Sequence, residues 1–166
     1  MNQLEAAQAE YEKFPQQFAS VAMATVSEEG LPHASYAPFV IDGAKNIYIF
    51  VSGLSEHTRN LHNRPKASIL FVENKSQTKQ IFARRRLTFE CDAVLLPRDT
   101  QEWEKIAEEF EQRFGEIINI MRSLPDFRIF KLTPYTGQFT IGFGAAYKVS
   151  GENLERLIHS GSNIEN

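Results

Sequence analysis

The chain has 166 residues, 42% of them hydrophobic and 23% charged, with a formal net charge of −3. This length buries a proper core, so a single domain over 1–166 is expected, and the acidic balance removes the electrostatic reason to expect nucleic acid as a partner. No apolar run reaches the ~20 residues of a membrane span. The polar start "MNQLEAAQAEYEKF" is unlike a secretory signal, so no membrane partner and a cytoplasmic location are expected.

Leu4, Ala7, Tyr11 and Phe14 recur at helical spacing and predict an N-terminal helix over 1–15, stopped by Pro15. Three strand-like runs follow, at 20–27, 33–41 and 47–52. They are separated by "EEGLP" and "DGAKN", both hairpin signals. The segment "GLSEHTRNLHNRP" reads as a short helix with Ser55 as N-cap, ended by Pro65. A strand at 66–74 leads into "QIFARRRLTFECDAVLL", read as one long strand from Gln80 to Leu96. The strongest helical pattern lies within 98–123, where Trp103, Ile106, Phe110, Phe114, Ile117 and Met121 form an apolar stripe. Asp99 and Glu102 offer a capping box, and Gly115 is placed to bend or end the first half. "DFRIFKLTPYTGQFTIGFGAAYKVS" returns to β-structure, and a C-terminal helix and tail are predicted over 151–166. Six or seven mostly antiparallel strands with a few helices suggest a small barrel, which removes exposed edges.

The arginine strand poses the chemical question. Alternation sets Arg84 and Arg86 beside Glu90 and Asp92 on a polar face, but Arg85 falls in line with Leu87, Phe89 and Cys91. An unpaired guanidinium in a core is prohibitive, so either the core face begins after Arg85 or something anionic meets it there; for the arginines together, spacing leaves open both an anionic ligand and an ion-pair network with Glu73, Glu90 or Asp92. A helix N-terminus at Ser55, with His57 and Arg59 within a turn, is suited to a phosphate, which Arg85 or Arg86 closes if the arginine strand runs alongside. The lone Cys91 excludes a disulfide and a cysteine zinc site, and its apolar face makes it an inert buried thiol. His33, His57, His62 and His159 show no metalloprotease spacing, and no metal site is expected from them. "GFGAA" at 142–146 lacks a dinucleotide fingerprint; its glycines serve close backbone packing or backbone contact with a ligand.

"ATVSEEGLPHASYAPFV", "IYIFVSGLSEHTRNLHNRPKASILF" and "RRRLTFECDAVLL" resemble the pyridoxamine 5′-phosphate oxidase-like superfamily of FMN-binding split barrels. "SYAPFV", "FARRRLTF", "RFGEII", "GFGAAY" and "VSGENL" resemble, within it, the haem-utilisation (HugZ/HutZ-like) branch. The resemblance implies a six-stranded antiparallel split β-barrel, mainly β with flanking helices, working as a homodimer with FMN at the subunit interface. It implies that Ser35, Tyr36, Ala37 and Pro38 run along the flavin ring and that Phe50 and Val51 line the site. Ser55, His57 and Arg59 would surround the phosphate, with Arg85 or Arg86 arriving from the next strand. The family's oxidases carry Arg-Lys where Glu56 and His57 stand here, and Arg in place of Ser35. The expected function is that of a flavin-dependent oxidoreductase with a small-molecule redox partner and no catalytic residue assigned. The alternative is haem binding or degradation, with His159 as iron ligand and Asp126 assisting the iron-bound group.

Overall fold

A computed structural model describes residues 1–161. Helix α1 (Gln3–Lys13) starts in a reciprocal cap: the Glu5 N–H donates to Asn2 Oδ1 at 2.8 Å and the Asn2 N–H to Glu5 Oε2 at 3.0 Å. Strands β1 (Ser20–Val26), β2 (Pro32–Ile41) and β3 (Ile47–Ser52) form the expected meander. Helix α2 (Glu56–Asn63) leads into β4 (Lys66–Val72) and β5 (Arg86–Leu95). Helices α3 (Gln101–Phe114) and α4 (Ile117–Ser123) precede β6 (Phe127–Gly142), β7 (Ala145–Ser150) and β8 (Arg156–His159).

The sheet order is β3-β2-β1-β4-β5-β6-β7-β8, and antiparallel pairing of β3 with β6 closes the first six strands into a barrel. β6 is the shared element, because Phe127–Leu132 face β3 while Gly137–Gly142 face β7. Inward side chains such as Met23, Ile49, Val51, Ile69, Phe89 and Leu132 fill the interior. α1 closes the end of the barrel at which β5 begins: Tyr11 and Phe14 pack against Phe139. α2 seats Leu61 in the same core from the β4 start, with Asn60 Nδ2 donating to Thr25 Oγ1 at 3.0 Å. A second core lies outside the barrel, where Trp103, Ile106 and Phe110 of α3 cover Val40, Tyr48, Phe50 and Ile129.

Four boundaries depart from the sequence reading. The single helix over 98–123 is two, because Gly115 adopts φ +84°, which breaks the helical path and is suited to glycine. Its N-cap is Thr100, whose Oγ1 accepts from the Trp103 N–H, in place of an Asp99–Glu102 box. The arginine strand begins only at Arg86, since Ile81–Ala83 form a 3₁₀ turn capped by the Gln80 side chain. The helix predicted at the C-terminus is replaced, in its described part, by a turn and β8; residues 162–166 of that segment lie outside the described residues. The open edge of β7 decides this. β8 pairs with it from Tyr147↔His159 to Ser150↔Arg156, and Leu154 is pinned where its carbonyl accepts from Tyr11 Oη at 2.7 Å.

Candidate functional site

The structure answers the question of Arg85. Its Nε donates to Glu73 Oε2 at 2.6 Å, its backbone N–H to Glu73 Oε1 at 3.1 Å, and its Nη1 to Glu10 Oε2 at 3.0 Å. Glu73 is only 4% exposed. Burial works against its charge, but the hydrogen bonds from Arg85 outweigh it and hold the carboxyl below its ordinary range. The Glu73 carbonyl also accepts from Arg84 Nε at 2.6 Å. Of the two readings open for Arg85, the structure contains the carboxylate pair. Arg86 differs: Nη1 donates to the Arg84 carbonyl at 2.9 Å, and the side chain stands on the outward face beside Thr140.

At the α2 end, Ser55 is the N-cap by backbone conformation but makes no side-chain cap bond. His57 Nδ1 lies 3.0 Å from Ser35 Oγ, and His33 Nδ1 lies 3.7 Å from Glu56 Oε2. Burial, and then the nearby His33, push the His57 imidazole below its ordinary pKa. Arg59 is exposed. Asp126 sits at the same end, its Oδ2 accepting from Ser52 Oγ at 3.1 Å and its carbonyl from the Gly53 N–H at 2.7 Å. Gly53 has to be glycine: a Cβ there would collide with Arg128 Nη1 and lie 2.7 Å from the Asp126 carbonyl.

These two groups of residues do not converge within one chain. Lys66↔Asp92 and Val72↔Arg86 are in register, so the arginines meet the far end of β4 from the one α2 feeds, roughly 20 Å away along the strand. The other positions expected to line a flavin also separate. Ser35 and the buried Ala37 face inward, whereas Tyr36 and Pro38 are exposed on the outer surface. Val51 points into the barrel core, while Phe50 is sealed beneath α3 against Trp103, Phe110 and Phe127.

His159 belongs to the arginine end. Its Nε2 lies 2.8 Å from the Gly144 carbonyl, and its Nδ1 accepts from the Gly161 N–H at 3.1 Å. A carbonyl only accepts, so the proton sits on Nε2 and the lone pair on Nδ1. Phe143, 74% exposed at the tip of the β6–β7 hairpin, and Ile158 give this end an apolar surface. Beside it lies a concavity of about 380 Å³ lined by Thr88, Glu90, Gln138, Lys148 and Ser160. Asp126 precedes Phe127 at one end of β6, and His159 is carried by Tyr147 against Phe139 near the other, separated by roughly 40 Å of strand. Among the described residues no cluster of three His, Cys, Asp or Glu is arranged for a metal ion, and no helix is long and apolar enough to cross a membrane. Cys91 is buried, and burial raises its thiol pKa, as expected of an inert position.

A six-stranded antiparallel barrel closed by β3–β6, with an edge hairpin carrying the C-terminal segment, defines the split-barrel class. Residues 7–141 match the family model described as pyridoxamine 5′-phosphate oxidase, and the chain belongs to that family. A curated relative, a haem oxygenase termed HutZ from Vibrio cholerae, is 40% identical over 90% of this chain and 85% of its own. A crystal structure of HutZ, described as a haem storage protein from Vibrio cholerae, matches with TM-score 0.76 and 36% identity over 81% of this chain and 96% of that one. Campylobacter jejuni ChuZ matches with TM-score 0.85 and 34% identity over 97% of this chain and 65% of that chain. The chain therefore falls in the HutZ-like branch of the family. These relatives overturn the flavin-dependent oxidoreductase expected from the sequence, with FMN as its principal cofactor. The geometry agrees: the start of α2 carries Glu56 and His57, and Arg85 is engaged by carboxylates.

Sequence reasoning gave no part to Glu10 in the arginine cluster and none to Phe143 and Ser160 at the His159 end. Only the glycines flanking Phe143 marked that hairpin as a place of close approach.

Proposed function

We propose that this chain binds haem and takes part in its oxidative breakdown, working as a homodimer. The observation that carries the reading is the setting of His159. A metal-ligating imidazole characteristically donates its other N–H to a backbone carbonyl, as His159 Nε2 does to Gly144, and Nδ1, which accepts from the Gly161 N–H, is the nitrogen that would meet iron. Phe143, beside the Gly144 carbonyl that His159 meets, provides an apolar surface for a porphyrin face. These residues fit the group. Haem, when bound, supplies the iron at which dioxygen is activated against its own ring. The chain holds the imidazole tautomer, shields one face and orients the Asp126 carboxylate through Ser52.

One chain cannot bring Asp126 to His159, because the two lie at opposite ends of β6. A site using both takes one from each of two protomers. The bare outer face of the barrel supports such a pairing: Ala22 stands in register with Tyr36 and Leu70, and Ala24 with Ala34 and Ser68, an apolar strip with no helix over it.

Haemin titration followed by absorption spectroscopy tests the reading. The expected result is a histidine-type Soret band that His159→Ala abolishes and added imidazole restores. An unaltered band in the variant rejects the ligand. Mixing His159→Ala with Asp126→Asn protomers is expected to recover turnover at about a quarter of the sites in a two-fold dimer. No recovery, with each variant still dimeric, rejects the shared site.

A further inference from the structure

The connector between β4 and β5 has a composition unlike the rest of the molecule. Residues 73–86, the connector with the first residue of β5, hold Lys75, Lys79, Arg84, Arg85 and Arg86 against one carboxylate, Glu73, and so five of the chain's 18 basic residues. The remainder therefore carries 13 basic residues against 20 acidic ones. Its apolar side chains face water: Phe82 is 82% exposed and Ile81 53%. A 3₁₀ turn at Ile81–Ala83 fixes that presentation, with the Phe82 N–H donating to Gln80 Oε1 at 3.0 Å. The connector is rigidly mounted, because the Glu73 carboxylate and carbonyl hold Arg85 and Arg84, and Glu10 ties the same point to α1. Arg85 pairs with both acids, and with Glu10 and Glu73 counted against Lys75, Lys79, Arg84, Arg85 and Arg86 the patch keeps a net positive charge. An apolar centre rimmed by cations, on a protein that is otherwise acidic, is built to attract a negatively charged protein surface and then bury an aromatic anchor.

We propose that this connector is the docking surface for an acidic, one-electron-donating redox protein. The inference rests on the haem reading of the preceding subsection and adds the partner that reading requires. Oxidative porphyrin breakdown consumes electrons, and no described side chain supplies them: the single thiol is buried and inert. The connector runs directly into Arg86. It shares with Phe143 a concavity of about 490 Å³ that also meets Gln77 and Lys79, so a partner seated there lies against the His159 end of the barrel. In each encounter the donor, a reduced flavin protein, would be oxidised by one electron, and the bound haem would be the acceptor of that electron. No proton or atom is transferred.

The test uses the full-length haem-loaded protein and a purified flavodoxin hydroquinone as probe, with formation of the ferrous carbon monoxide band as readout. The expected second-order rate falls steeply with added salt. It drops about tenfold in a Lys75→Glu/Lys79→Glu variant and again in Phe82→Ser, while reduction by dithionite is unchanged. A rate indifferent to salt and to these variants overturns the proposal. So does a connector whose substitutions abolish only co-sedimentation with phosphatidylglycerol vesicles, which assigns the patch to a membrane surface. Substitutions that convert the dimer to monomers, read by ultracentrifugation, also overturn it. If no haem-loaded protein can be made, the haem reading fails and the donor role with it. Docking by itself is then judged by calorimetry of oxidised flavodoxin with the haem-free chain. Salt-sensitive binding lost in the variants supports the surface, and no binding refutes it.

Discussion

The outer surface of the barrel is finished in two ways. Over β3 and the start of β6, outward side chains are large and apolar, and α3 buries them: Phe50 meets Trp103, Phe110 and Phe127, with ring centroids 5.7–5.9 Å apart. Over β1, β2 and β4 the outward side chains mix the small Ala22, Ala24, Ala34 and Ser68 with Tyr36 and Leu70, and no helix lies across them. The large apolar side chains outside β3 are covered within the chain, whereas this mixed strip stays open to solvent, exposed Tyr36 included. The covered half is therefore a stability element, and the bare half is the face that the proposed homodimer would use. The two respond differently to substitution.

The largest effect is expected on the covered half. Phe50→Ala removes an aromatic side chain from beneath α3 and should cost about 3–5 kcal/mol, read from the urea midpoint at unchanged slope. A loss near zero would mean that α3 is not held through this ring. Next comes the buried carboxylate that holds Arg85 at the end of β4. Glu73→Gln leaves Arg85 without its buried partner and should cost about 2 kcal/mol, discounted because the arginine is partly exposed. The sign with pH follows from the lowered Glu73 pKa: the wild-type contribution is complete above the ordinary carboxyl range and is lost as pH falls through it. The Gln variant should lose less stability on acidification. On the bare half, Ala24→Arg should change monomer stability by no more than about 0.5 kcal/mol while shifting the sedimenting species from dimer to monomer. A dimer that survives this charge disposes of the association face. The smallest effect concerns His57. Its folded pKa is depressed, so the unfolded chain binds the extra proton and stability falls as pH drops below the ordinary imidazole value. His57→Gln should remove that slope. An identical slope in the variant would assign it to another group.

Much of the fold was legible because hydrophobic period and turn chemistry are local. Ile47–Ser52 alternates between the core and the α3 interface, "DGAKN" makes its hairpin, and Gly115 ends its helix where a positive φ is needed. The C-terminal segment misled because Leu154, Leu157 and Ile158 fit a helix as well as a strand. The open β7 edge, not the spacing, decided between them. The candidate site residues lie apart within one chain for a related reason. Arginines and a helix N-terminus separated by one strand in sequence suggested a shared pocket, yet an antiparallel return carries Arg86 to the opposite end of β4 from α2.

The sequence by itself determined the barrel, its family resemblance and the identity of the scarce polar groups, because alternation, glycines and charge are carried by each residue wherever the chain goes. Only the tertiary structure decided which of those groups meet. It took Arg85 for Glu73 and Glu10, sealed Phe50 under α3, and set Asp126 and His159 apart. Pairing across a closed barrel is fixed by register and end-to-end distance, and neither is written in any short stretch of residues.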